Sequence, residues 1–213
     1  VRGPAEWRPS RPGAPLRRRV FQYADDVARV PTGFVNAYLL GTATQWVLVD
    51  SGIAGFAGLI RRAAEARFGP DTRPAAIVLT HAHTDHAGGA AEMAARTGAV
   101  VAVHEADAAA VEAGRHPRYD ASLRAGRLLQ RLPGGAFPPV AVDERLTGDE
   151  VLDGGLRVVA TPGHTTDSMS ILITDDGSLL TGDTVLGRGT TVIAWPDGVL
   201  GPYLDSLARI REL

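Results

Sequence analysis

Short apolar runs alternate with amphipathic stretches along most of this chain. The runs rich in β-branched residues are typical of buried strands, and they lie at 34–40, 46–49, 75–79 and 100–103. Between them, apolar positions recur at helical spacing, which predicts helices at 56–68, 90–96 and 106–113. The first of these helices stops at Gly69-Pro70, a pair that ends helices. Repeated alternation of strands and helices indicates an α/β fold.

The alternation stops between residues 114 and 139, where prolines and arginines surround one helical piece. Long insertions over the edge of a sheet often act as lids, so we expect a lid or a surface helix here. Strands are predicted again between 140 and 180. The glycine- and proline-rich segment 187–202, with Trp195, is expected to form one wall of a pocket, and an amphipathic helix follows at 203–213.

Composition adds one boundary and excludes several classes of protein. Residues 1–19 contain six arginines and four prolines, which predicts a flexible arm before a single domain at 20–213. The arm lacks the apolar core of a secretory signal, and no apolar stretch is long enough to span a membrane, so we expect a cytoplasmic protein. Because the chain contains no cysteine and no lysine, cysteine nucleophiles, disulfides and lysine-based catalysis are excluded.

Directly after the apolar run at 75–79, the sequence reads Thr-His-Ala-His-Thr-Asp-His over residues 80–86. The chain has six histidines, and three of them lie in this heptapeptide. Ligands of α/β proteins usually bind at the carboxyl ends of strands, and imidazole is the commonest metal ligand. His81 and His83 face the same way in an extended segment, whereas the adjacent Asp85 and His86 diverge. This spacing favours a loop shared by two metals.

Two later segments have the same organisation of apolar strand, small turn residue and polar side chain. The run at 158–161 is followed by Pro162-Gly163 and then by His164, and the run at 178–181 precedes Asp183. Considered alone, each polar residue is an ordinary loop residue. Together with the histidine-rich heptapeptide, both are candidates for further metal ligands.

The order T-H-x-H-x-D-H-x-G-G, then T-P-G-H-T-x-x-S, then G-D-T resembles the metallo-β-lactamase superfamily of metallohydrolases, which includes glyoxalase II. The resemblance extends from about residue 35 to the end of the chain, and V-L-V-D-S-G at 47–52 matches an early motif of the family. It implies a four-layer αββα sandwich with two metals at one edge. It also implies that His81, His83 and His164 bind the first metal. Asp85 and His86 would bind the second metal, and Asp183 would bridge the two.

Zinc is the metal we expect, and the nitrogen and oxygen ligands also suit manganese or iron. Zinc lowers the pKa of bound water to about 7, which supplies hydroxide at neutral pH. Asp85 is the expected catalytic residue, because beside the first metal its carboxylate can hold the hydroxide and take its proton. Three further residues are candidates to fix the orientation and tautomer of the imidazoles: Asp50, Thr80 and Thr165.

One ligand of the superfamily pattern is missing. The second site is normally completed by a histidine after the bridging aspartate, and no histidine follows His164 here. We expect that the chain ends before the loop that carries this histidine; otherwise the second site differs from the family pattern, with Asp197, Asp205 and Glu212 as candidate substitutes. We expect the second metal site in this chain to be incomplete, unless one of these acids completes it.

Hydrolysis of a small ester, thioester or lactone through a metal-bound hydroxide is the function that this pattern favours. A metal-dependent endoribonuclease is an alternative, because 182–191 resembles the corresponding segment of β-lactamase-like endoribonucleases. Four arginines of the insertion would suit the phosphates of RNA: Arg118, Arg124, Arg127 and Arg131. A second alternative is a non-enzymatic binding module with an incomplete second metal site.

Overall fold

The computed structural model describes residues 21–24, 27–33, 35–115, 136–152 and 154–213. These residues form two β-sheets with helices packed around them. The predicted N-terminal arm, most of the predicted insertion and its four arginines lie outside the described residues.

The first sheet has seven strands in the order of the chain: β1 (Phe21–Ala24), β2 (Val27–Pro31), β3 (Asn36–Gly41), β4 (Trp46–Val49), β5 (Ala76–Val78), β6 (Val100–His104) and β7 (Glu144–Leu146). Strands β1 to β4 pair antiparallel, whereas β4 to β7 pair parallel. The carboxyl ends of β4, β5 and β6 therefore lie at one edge of the sheet.

The second sheet is antiparallel, with the spatial order β11-β10-β9-β8. Its strands are β8 (Val151–Leu152), β9 (Leu156–Ala160), β10 (Met169–Ile173) and β11 (Ser178–Leu180). The two sheets pack face to face through an aliphatic core that includes Val49, Val78, Val158 and Ile171. At the edge where the heptapeptide begins, the backbone N–H of Met169 donates to the carbonyl of Thr80 over 2.9 Å, which joins the two sheets.

The helices are α1 (Ala57–Phe68), α2 (Thr84–Ala87), α3 (Ala90–Thr97), α4 (Glu105–Ala113) and α5 (Leu200–Ile210). On the outer face of the first sheet, Ile60, Met93 and Val111 of α1, α3 and α4 are buried in one apolar cluster with its strands. Beside the second sheet, Ser206 of α5 donates a hydrogen bond to the carbonyl of Pro162. The predicted αββα sandwich is thus confirmed. In the described part of the chain, every helix is too short or too polar to span a lipid bilayer.

Some element boundaries differ from those predicted. The last helix begins at Leu200 rather than at 203, because Pro202 lies in its first turn, where backbone N–H groups have no partner within the helix. Strand β7 begins at Glu144 rather than at 140, because the backbone N–H of Val140 donates to the carbonyl of Val111 in α4 rather than to a neighbouring strand.

Candidate metal centre

Asp50 directly follows β4 and begins a cluster of polar side chains at the shared sheet edge. Its backbone has a φ of 57°, a left-handed conformation that aspartate adopts more readily than most residues. The buried carboxylate accepts hydrogen bonds from the backbone N–H (2.8 Å) and the hydroxyl (3.0 Å) of Thr80. It also accepts the Nδ1 proton of His86 over 2.7 Å. Asp50 thereby connects the ends of β4 and β5 to α2.

The hydroxyl of Thr80 determines which nitrogen of His81 is available. A hydroxyl has one proton, and Thr80 donates it to Asp50. The same hydroxyl oxygen lies 3.0 Å from Nδ1 of His81, so it accepts the proton on that nitrogen. The remaining nitrogen, Nε2, then carries the lone pair that a metal can bind.

His164 is oriented in the same way by a backbone carbonyl. Its Nδ1 lies 2.7 Å from the carbonyl oxygen of Val192, and since a carbonyl only accepts, this nitrogen carries the proton. Nε2 of His164 is therefore the available donor atom, and it lies 3.0 Å from Nδ1 of His83. The carbonyl of Val192, 28 positions later in the sequence, thus fixes the orientation of the His164 ring.

The donor nitrogens of His81, His83 and His164 all lie within 4.8 Å of one another. The ring centroids are 4.4 Å apart for His81 and His83, 5.0 Å for His81 and His164, and 4.7 Å for His83 and His164. Two of these residues come from the loop after β5 and the third from the turn after β9. The fold therefore brings the three imidazoles to one place, close enough to share one ion.

A second group of donor atoms adjoins the first. It contains His81, His86 and Asp183, whose donor atoms also lie within 4.8 Å of one another. One carboxylate oxygen of Asp183 is 3.2 Å from Nε2 of His86, and the other is 3.6 Å from Nε2 of His164. Asp183 therefore lies between the two groups and has one oxygen towards each.

Opposing charges and burial perturb the titration of this second group. Burial alone lowers the pKa of His86, but the carboxylates of Asp50 and Asp183 outweigh it and raise that pKa to about 10. Burial alone raises the pKa of Asp183, whereas its hydrogen bond with His86 and the nearby imidazoles hold it below the ordinary value. The pair is therefore a strongly coupled donor and acceptor.

The donor chemistry of both groups fits a metal ion. His86 directs its Nδ1 proton to Asp50, so in the neutral ring the lone pair of Nε2 faces the carboxylate of Asp183. Two acceptors repel at this distance unless a proton or a cation lies between them. Imidazoles whose second nitrogen is fixed by an acceptor, arranged with a carboxylate, are the ligands that zinc and related ions use in proteins.

The comparison with known families agrees with this geometry. Residues 30–213 match the sequence profile described as the metallo-beta-lactamase superfamily. The chain belongs to the metallo-β-lactamase superfamily.

Three similar proteins illustrate the range of this superfamily. Atrochrysone carboxyl ACP thioesterase of Aspergillus fumigatus is 31% identical over 181 residues, which cover 84% of this chain and 47% of that protein. The class B3 di-zinc metallo-β-lactamase LRA-12 from an Alaskan soil metagenome has a TM-score of 0.71 and 25% identity, over 96% of this chain and 79% of that one. The di-iron-bound form of TTHA1623 has a TM-score of 0.66 and 25% identity, over 87% of this chain and 86% of that one. The chain spans about half the length of the curated relatives it matches.

Asp85 and Thr165, two further residues predicted for the site, lie outside both donor groups. Asp85 is on α2, partly exposed, and its carboxylate belongs to neither group, so its role remains a prediction. The hydroxyl of Thr165 lies 2.6 Å from that of Ser168. Thr165 therefore stabilises the turn that carries His164, and a role in orienting an imidazole stays a prediction.

The three late acids considered as substitute ligands occupy different places. Asp205 and Glu212 are exposed on and after α5. Asp197 reaches the centre, where one carboxylate oxygen lies 3.7 Å from Nε2 of His83 and the other accepts from the backbone N–H of Thr166. Because Nδ1 of His83 faces His164, Asp197 lies behind this ring rather than among the donor atoms.

Two contacts of the centre were missed by the sequence interpretation. One is the carbonyl of Val192, and the other is the buried carboxylate of Asp107 on α4, which accepts the backbone N–H of Ala82 over 2.7 Å. Ala82 lies between two of the donor histidines. Burial and the neighbouring Asp167 carboxylate raise the pKa of Asp107 to about 9. The sequence feature that could have indicated this contact is that Asp107 lies on the buried face of α4, among apolar residues.

Proposed function

We propose that this chain hydrolyses small carboxyl derivatives, namely thioesters, esters or lactones, with metal bound at the two donor groups. The observation that carries the proposal is the position of Asp183, with one carboxylate oxygen towards each group. Two metals that share a bridging carboxylate can act together on one attacking water and one developing oxyanion. Among these substrates we place thioesters first, because a relative that covers most of this chain is named a thioesterase.

Two donor residues of the centre are partly accessible to solvent. His81 and His86 are buried, whereas the side chain of His83 is 16% exposed and that of Asp183 is 22% exposed. A small carbonyl compound can therefore approach the donor groups past these two residues. This combination of buried and accessible ligands favours catalysis over a purely structural metal site, which is closed by its ligands.

Zinc is the metal we propose for these groups, with iron and manganese as alternatives. One similar structure is described as di-zinc and another as di-iron-bound, so the fold accommodates both metals. Nitrogen and oxygen donors suit all three. When bound, such a metal lowers the pKa of a water molecule and polarises the carbonyl group of a substrate.

The residues of the chain then have distinct tasks. We propose that His81, His83 and His164 hold the first metal and that His86 and Asp183 contribute to the second. Asp50 and Thr80 fix the ring orientation of two of these histidines, which preserves the donor geometry between turnovers.

Asp85 is the residue we propose for proton transfer. It lies in the first turn of α2, between His83 and His86, and it is partly exposed to solvent. A carboxylate in this position can orient the attacking water through a hydrogen bond, accept its proton and later pass that proton to the leaving group.

To test the proposal, the purified protein is supplied with zinc or manganese and with three substrates: an acyl thioester of N-acetylcysteamine, a lactone and a short RNA. We expect hydrolysis of at least one carboxyl derivative and no cleavage of the RNA. His164→Ala is the matched control, since it removes one donor of the first group. RNA cleavage without carboxyl hydrolysis would support the endoribonuclease alternative, and zinc binding without turnover of any substrate would support a binding module.

A further inference from the structure

Large apolar side chains are exposed in an uneven distribution over the described part of the chain. Eight of them are exposed, and four follow Asp183 within one short segment, 185–195. We define these four as the apolar collar: Val185, Leu186, Val192 and Trp195. Their exposed fractions are 45%, 37%, 67% and 67%, respectively. All four lie within one segment of the chain, and exposed apolar groups that form a contiguous patch usually mark a binding surface.

The segment that carries the collar is fixed directly to the candidate metal centre. The hydroxyl of Thr191 donates to the backbone carbonyl of Asp183 over 2.7 Å. The next residue, Val192, accepts the Nδ1 proton of His164 through its carbonyl. Collar residues therefore keep a defined position relative to the donor groups.

Trp195 lies at the tip of a tight turn beside the centre. The backbone N–H of Gly198 donates to the carbonyl of Ala194 over 2.7 Å, which closes the turn around Trp195. Two residues after Trp195, the carboxylate of Asp197 lies 3.7 Å from Nε2 of His83. Since consecutive Cα atoms are about 3.8 Å apart, Trp195 lies close to His83, a partly exposed residue of the centre.

We propose that the apolar collar binds the acyl group of the substrate, with Trp195 as the main specificity-determining residue. The preferred substrates are then thioesters or esters with a long aliphatic or an aromatic acyl group, rather than acetyl derivatives. This inference rests on the proposed function. An apolar acyl chain that covers the collar removes both surfaces from water, and this binding free energy can position the carbonyl at the donor groups.

The first test compares acyl groups on one leaving group. Acetyl, hexanoyl, decanoyl and naphthoyl thioesters of N-acetylcysteamine are hydrolysed by the wild type, Trp195→Ala, Trp195→Phe and Val151→Ala. Val151 is the control, because it is also apolar and 75% exposed but lies on β8 at the edge of the second sheet. We expect Trp195→Ala to lower kcat/KM for the decanoyl and naphthoyl substrates by about tenfold or more, relative to acetyl. Trp195→Phe should retain most of the preference, and Val151→Ala should retain all of it.

A second test measures binding without turnover. The chain has three tryptophans, of which Trp46 is buried, so a Trp7→Phe background leaves Trp195 as the exposed fluorophore among the described residues. An inert decanoyl amide of cysteamine should quench this fluorescence saturably, and an acetyl amide should not. Saturable quenching without hydrolysis of any thioester would support the collar and contradict the proposed reaction.

Three outcomes would overturn the inference. The first is that kcat/KM for each longer acyl substrate, relative to the acetyl substrate, is the same in the wild type and in Trp195→Ala. The second is quenching by a short RNA but not by the decanoyl amide, which would assign the collar to base stacking. The third is a dimer in analytical ultracentrifugation that Trp195→Ala dissociates, which would assign the collar to a second copy of the chain.

Discussion

The carboxylate of Asp50 accepts the Nδ1 proton of His86 over 2.7 Å, although 36 positions separate the two residues. The same carboxylate holds the hydroxyl of Thr80, which in turn accepts from His81. One buried carboxylate therefore sets the orientation of two donor imidazoles. This relationship explains why the family motif contains an acid at the end of β4, well away from the histidine-rich loop in sequence.

Replacing this carboxylate should weaken metal binding without unfolding the chain. In Asp50→Asn, one of the two side-chain oxygens becomes an N–H donor that cannot accept the proton of His86 or Thr80. We expect metal affinity to fall by roughly 10- to 100-fold, as for other residues that orient metal ligands. Competition with a chromophoric chelator measures the change. Asp143→Asn is the control, because Asp143 holds the backbone N–H of Val101 at the start of β6; equal affinities in the two variants would contradict the role of Asp50.

Coordination and proton transfer can be separated by two variants in the histidine-rich loop. Asp85→Asn should abolish turnover and leave the first metal bound, because the three histidines of the first group are unchanged. His83→Ala should lose the metal itself, since two imidazoles hold zinc poorly. Elemental analysis and kcat are measured on the same samples. A kcat near the wild-type value in Asp85→Asn would refute the proton-transfer role proposed here.

Close packing of the loop after β4 requires glycine at position 89. A Cβ added there would lie 2.3 Å from the carbonyl oxygen of Ser51, far inside van der Waals contact. We expect Gly89→Ala to lower the free energy of unfolding by about 1–3 kcal/mol, the usual cost of overpacking. Gly201→Ala is the control, because a Cβ at that position of α5 meets no atom within 4 Å. Urea unfolding of both variants decides the point, and equal stabilities would show that the loop can shift without cost.

Asp107 gives the stability a defined pH dependence. Its pKa is raised from 3.8 to about 9 in the folded chain, so folding favours the protonated form. The stabilisation that this proton provides is complete below pH 3.8, the pKa of Asp107 in the unfolded chain. It is lost as the pH rises towards 9, the pKa in the folded chain. Asp107→Asn keeps an acceptor for the backbone N–H of Ala82 and removes the titration.

The comparison between these two proteins tests that linkage. Between pH 5 and pH 8 the wild type should lose more unfolding free energy than Asp107→Asn, by up to about 1.4 kcal/mol per pH unit. Urea unfolding at both pH values measures the difference, and any pH effect of metal binding is common to both proteins. Parallel stability profiles would contradict a protonated Asp107.

The sequence predicted those parts of the centre that depend on short-range pattern. His81 and His83 follow an apolar strand within a few residues, and His164 and Asp183 repeat this arrangement, so the strand ends could be read directly. The layer order of the sandwich came from the family resemblance, and the structure agrees with it.

The rest could not be predicted because it depends on contacts between distant segments. Nothing near Val192 indicates that its carbonyl orients His164, since any residue offers the same backbone group. Asp107 is one acid among several on its helix, and only the packing of α4 directs it to Ala82. The contact between the hydroxyls of Thr165 and Ser168 likewise depends on how the turn after β9 folds.

We propose that metal at the two donor groups enables hydrolysis of a carboxyl derivative. The most direct measurement is a zinc titration of the chelator-treated protein, with the rate of hexanoyl thioester hydrolysis as the readout. We predict no hydrolysis before zinc is added and a rate that rises to a plateau with zinc, in the wild type but not in His164→Ala. Full hydrolysis by the chelator-treated protein, or a zinc-loaded wild type that hydrolyses no thioester, ester or lactone, would contradict the account.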